Sequence, residues 1–96
     1  MHRNLMRAKR IQNNAGETVQ LYYYLLVDDS DSLSWYGVHV SMRGKIEGDC
    51  SVPRISHDCG SVWSLLELLA REMVTPGGLK DTLYDLIEQW RDQLLK

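Results

Sequence analysis

The 96-residue chain has no phenylalanine, two cysteines and two prolines. No apolar run approaches the ~20 residues that span a bilayer, so no transmembrane helix is expected. Two cysteines, Cys50 and Cys59, are too few to staple a secreted miniprotein. The first ten residues carry charge without an apolar stretch, so no secretory signal is expected, and the cysteines are read as reduced thiols of a cytoplasmic protein. There is no internal repeat, no low-complexity segment and no glycine-lysine-serine/threonine phosphate loop. At 11.1 kDa the chain has room for one core and one domain.

What is present is an ordinary globular balance, 44% apolar and 25% charged. The net charge of −2 conceals an asymmetry. Residues 1–16 hold Arg3, Arg7, Lys9 and Arg10 and no acid, while the other 80 residues hold 7 basic and 13 acidic side chains. Residues 1–16 are read as a basic arm, either flexible or a short extra strand, and residues 17–96 as a single α+β domain. A basic lead on an acidic body reads as a solvated N-terminus, or as a tail that meets an anion or the body's own acids.

Residues 18–27 are rich in β-branched and aromatic types and read as the first strand of that domain. Val19, Leu21, Tyr23, Leu25 and Val27 share one face, the expected core face; Tyr22 and Tyr24 share the other. An acidic turn, Asp28 to Ser32, leads to a second strand over about 33–42. A third, about 51–56, contains Pro53, which restricts it to a sheet edge or a bulge. Leucines at helical spacing then predict one helix over about 61–74, capped by Asp58 or Ser61, and another from Leu79 to about Leu95, introduced by Thr75-Pro76. The expected fold is α+β: a small antiparallel three-stranded sheet followed by two helices packed on one face.

Several constellations contain the residue types of catalysis or metal binding. Ser56-His57-Asp58 has the types of a hydrolase triad, but sequence neighbours point apart and read as a strand end entering a helix cap. Cys50, His57 and Cys59, with His39 as a fourth, supply zinc's ligand types at spacings unlike the paired short gaps of zinc modules. Asp81, Asp85, Glu88 and Asp92 recur one helical turn apart, the pattern of a solvated face. No catalytic residue, metal ligand or cofactor is assigned.

The aromatic content is the stronger signal. Five Tyr and three Trp, large rings with a polar handle, suit plain packing beneath the N-terminal arm, a protein interface or a base-stacking platform. Tyr22, Tyr24, Trp35 and Tyr36 are the expected partner-binding residues of a non-enzymatic protein-interaction or regulatory module. Its partner is another protein or a second copy, and no membrane is involved. One concrete form is a phage-encoded inhibitor of a host enzyme. The alternatives are a nucleic-acid-binding protein that uses Arg3, Arg7, Lys9 and Arg10 with the aromatic sheet face, and a small metal protein or enzyme.

Five stretches carry a resemblance: Leu21 to Val27, Tyr36-Gly37-Val38, Ile55-Ser56-His57-Asp58, Val62 to Leu69, and Thr75-Pro76 with Leu79 and Leu83. In these the chain resembles a family of small uncharacterised proteins of Firmicutes and their phages, a domain of unknown function. The resemblance covers about residues 19–90 and leaves out the basic lead. It implies the strand–helix order and a bacterial or phage cytoplasmic setting, and it brings no catalytic residues.

Overall fold

In the computed structural model the chain is described over residues 2–12, 14–30 and 32–94, with side chains described as far as Leu86. Four strands come first: β1 (His2–Gln12), β2 (Thr18–Asp28), β3 (Trp35–Gly44) and β4 (Gly48–Ser56). They form one antiparallel sheet in the order β1-β2-β3-β4. Helix α1 (Cys59–Arg71), a short 3-10 turn (Pro76–Gly78) and helix α2 (Leu79–Leu94) follow.

The expected three-stranded sheet is therefore corrected to four strands. The additional strand is β1, built from the basic lead. It pairs with β2 from His2↔Val27 to Gln12↔Thr18, with a bulge between Leu5 and Arg7. As an edge strand it is exposed at nearly every position, and only Met6 and Ile11 reach the core. Backbone hydrogen bonds to β2 define it, so its side chains have no reason to alternate.

The alternation in β2 sorts its side chains as expected. Val19, Leu21, Tyr23 and Leu25 are buried and face the helices, together with Val38 and Val40 of β3. Val62, Leu65, Leu66, Leu69 and Ala70 of α1 close this core, and Leu79 and Leu83 bring the start of α2 into it. Each buried leucine withdraws an area worth roughly 2 kcal/mol from water. Asp58 caps α1 by accepting from the Gly60 N–H at 3.1 Å, and its other oxygen accepts from the Ser61 hydroxyl.

Helix α1 stops in a Schellman turn. The Val74 N–H reaches Leu69 O at 3.0 Å and the Met73 N–H reaches Ala70 O at 3.1 Å, with Met73 at φ +52°. The next carbonyl is used from the sheet: the buried Tyr23 hydroxyl donates to Val74 O at 3.0 Å. Burial pushes the Tyr23 phenol up to about 12.

Pro53 lies in an edge strand and also at a bulge, the two placements open to it. The pairing with β3 slips between Tyr36↔Ser56 and Val38↔Val52, leaving Pro53 and Arg54 as extra residues opposite Gly37. Arg54 sits at φ +55°. The excursion folds against Gly37 on the sheet face opposite the helices, and Leu26, the β2 partner of Gly37, is 5% exposed.

Candidate aromatic and polar face of the sheet

Strand register decides which side chains share the sheet face that the helices leave. From β2 it receives Gln20, Tyr22, Tyr24, Leu26 and Asp28. From β3 come Trp35, Gly37, His39, Ser41 and Arg43, cross-paired with them in reverse order, from Asp28↔Trp35 to Gln20↔Arg43. β1 adds Arg3, Leu5, Ala8 and Arg10, and β4 adds Asp49 and Ser51.

A hydrogen-bonded cluster occupies the centre. His39 is 7% exposed, and its Nδ1 meets the Ser51 hydroxyl. Its Nε2 lies 3.1 Å from Arg3 Nη1, 3.0 Å from Ser41 Oγ and 3.2 Å from Asp49 Oδ1. Without a proton, Nε2 accepts from Arg3; with one, it donates to the carboxylate or to the hydroxyl. Ser41 donates to Asp49 at 2.6 Å, and Arg43 pairs with the same carboxylate at 3.1 Å. These contacts, the Ser41 hydroxyl first, hold the Asp49 carboxyl below its ordinary range. Every strand contributes to this cluster or stands against it. Arg3 also lies 4.9 Å above the Tyr24 ring, and Tyr24 meets the imidazole edge-on.

The aromatic rings flank this polar floor. Tyr22 and Tyr24 stand half-buried on β2, with Tyr22 donating to Gln20. Leu5 beside Tyr24 is 54% exposed. At the far end Trp35 packs on His57 with ring centres 3.7 Å apart and planes tilted by 40°, and His57 bonds the Ser34 carbonyl. The β4 excursion reaches back here: Arg54 Nε donates to Asp28 at 2.9 Å, and its other end meets the Ser30 hydroxyl. Ser30 and Arg54 together lower the Asp28 carboxyl to about 2.

Of the four expected anchors, Tyr22, Tyr24 and Trp35 lie on this face. Tyr36 pairs with Val27 and packs against the core on the helix side. The four basic residues divide between the faces. Arg3 and Arg10 point to the aromatic side, opposite Leu26 and Gln20. Arg7 and Lys9 sit opposite the buried Tyr23 and Leu21 on the helix side, where Arg7 pairs with Glu67 of α1 at 2.6 Å.

The sequence sets with metal or triad types are dispersed. His39 is on the aromatic face, whereas Cys50 pairs with Val40 on the helix side, and Cys59 is exposed at the start of α1. No group of three or more metal-ligating side chains gathers among the described residues. In Ser56-His57-Asp58, Ser56 accepts from the Asp58 N–H and Asp58 caps the helix. Asp81 and Asp85 are exposed; the side chains of Glu88 and Asp92 lie outside the described residues. No helix among the described residues is long and apolar enough to cross a membrane.

The His39 cluster escapes a linear reading because its members are scattered from residue 3 to residue 51. The β3–β4 hairpin register, which places His39 opposite Ser51 and Ser41 opposite Asp49, is what assembles it. Alternating polar residues on both arms of the hairpin were the available signal.

No curated protein matches the chain, and no solved structure does. One family model matches residues 2–89, a span that takes in β1, which the sequence resemblance left out. The chain belongs to that family, a family of unknown function designated DUF6514.

Proposed function

We propose that this chain is a small non-enzymatic interaction module that docks a protein partner on the helix-free face of its sheet. The observation that carries the reading is the placement of Tyr22, Tyr24, Trp35 and Leu5 on that face, around a floor whose polar groups are already satisfied by one another. Half-exposed rings with a polar tip supply contact area at small entropic cost, and a pre-organised floor gives up little on binding. Arg3, held over Tyr24 and beside His39, is a rim cation suited to a carboxylate of the partner. The cysteines are free, which fits a reducing cytoplasmic setting. An inhibitor that covers a host enzyme, encoded by a phage, is one form such a module takes.

Nucleic-acid binding has weaker support, because Arg7 and Lys9 are turned away from the rings. Affinity capture from a bacterial lysate, with and without nuclease, separates the two. The module predicts a specific protein that survives nuclease. Loss of all capture on nuclease treatment would transfer the face to nucleic acid.

A further inference from the structure

β1 has one edge bonded to β2 and, among the described residues, no strand on the other. Its second half, Arg7 to Gln12, runs past the bulge in unbroken register with β2. The outer backbone N–H and C=O groups of this stretch are therefore a template for one more strand. Its charged side chains are Arg7, Lys9 and Arg10, with no acid between residues 2 and 12. Beside this edge on the helix side lies an open cleft of about 560 Å³ between β1 and α1. Arg7, Lys9 and Arg71 bring three cations to its lining and Glu67 one acid; Leu68 and Ala70 supply the apolar wall.

We infer that the free edge of β1 takes an acidic extended segment of a partner protein by strand addition. This rests on the interaction-module reading and adds a second contact surface to it. An added strand lies in the plane of the sheet, so its alternate side chains reach both faces. That geometry matches the distribution of cations. Carboxylates opposite Arg7 and Lys9 enter the cleft against α1, and one opposite Arg10 lies on the aromatic side, in line with Gln20. A phosphate backbone laid on either face would meet only part of the set. A second copy of this chain is disfavoured as the occupant, because two-fold pairing of β1 with itself sets cation against cation. The acidic strand converts the same charges from a block on self-association into a means of selecting a partner.

The test is selection from a displayed random 12-residue peptide library against the full-length chain. The selected peptides are then resynthesised with N-methylated backbones and measured at two salt concentrations. Enrichment of peptides with Asp or Glu at alternating and adjacent positions is expected, with binding lost on N-methylation and weakened by salt. The Lys9→Glu/Arg10→Glu variant keeps the Arg7–Glu67 pair and should bind at least about ten-fold more weakly while melting cooperatively. Adding Arg7→Glu should remove binding altogether. Three results would overturn the inference: no enrichment, enrichment of peptides without acids, or acidic binders indifferent to N-methylation. If no peptide is enriched and an Arg7→Gln/Lys9→Gln/Arg10→Gln variant self-associates, the cations serve only to keep the edge unpaired. A Tyr22→Ala/Tyr24→Ala variant keeps this edge. Lysate capture that depends on those tyrosines, with no acidic peptide selected, sinks the edge inference alone; the converse sinks the aromatic-face reading alone.

Discussion

Replacing Gly37 by alanine puts a methyl group where β4 crosses the sheet. A Cβ built at Gly37 would lie 2.4 Å from Val52 O and 2.7 Å from Pro53 Cα, both backbone atoms. No rotamer change relieves such a contact, so the Pro53-Arg54 excursion has to lift. Over-packing that displaces backbone costs about 2–3 kcal/mol. For a domain of this size that lowers Tm by roughly 10–20 °C. Lifting the excursion also withdraws Arg54 from Asp28, so the loss should be cooperative rather than local. Thermal melting followed by circular dichroism measures it. Gly77→Ala is the control: its Cβ would meet nothing within 4 Å, and Tm should hardly move. A Gly37→Ala variant that melts with the native protein would refute the reasoning, because β4 could then not lie against Gly37 as described.

Two further outcomes follow from the core and the end of α1. Met73 holds the left-handed position of the Schellman turn with its side chain 49% exposed, so Met73→Gly should raise stability by about 0.5–1 kcal/mol in urea unfolding; a loss of stability would show that the side chain contributes more than the strained backbone costs. Tyr23 keeps its proton to about 12 when folded, against about 10 in the unfolded chain. Its neutral form therefore contributes stability fully below pH 10 that is lost as pH rises toward 12. Ultraviolet titration should show one late-ionising tyrosine that disappears in Tyr23→Phe, a change that also costs about 1 kcal/mol by leaving Val74 O without its donor.

The parts of the fold legible in the sequence were those in which burial imposes a period. β2 is half-buried along its whole length, and its alternation names both the core face and the outward tyrosines. The leucines of α1 do the same at helical spacing. β1 has no such imprint, since backbone pairing alone recruits it and only two of its side chains reach the core. Tyr36 and Trp35 are adjacent, and only the register with Val27 and Asp28 shows which faces the core. The Tyr36-Gly37-Val38 stretch was visible as a pattern, but its reason was not: the glycine admits a bulge formed some 16 residues later in the chain. The His39 cluster needed the hairpin register and an arginine from β1, a segment the sequence left as either a flexible arm or an extra strand.

The proposed role of the aromatic face rests on its binding a protein. Its most direct test is quantitative capture from nuclease-treated bacterial lysate by the native chain and by Tyr22→Ala/Tyr24→Ala in parallel, with both first shown to melt cooperatively. A specific protein should be retained by the native chain and lost from the double variant, because both rings stand partly exposed at the centre of that face. Equal retention by both would contradict it.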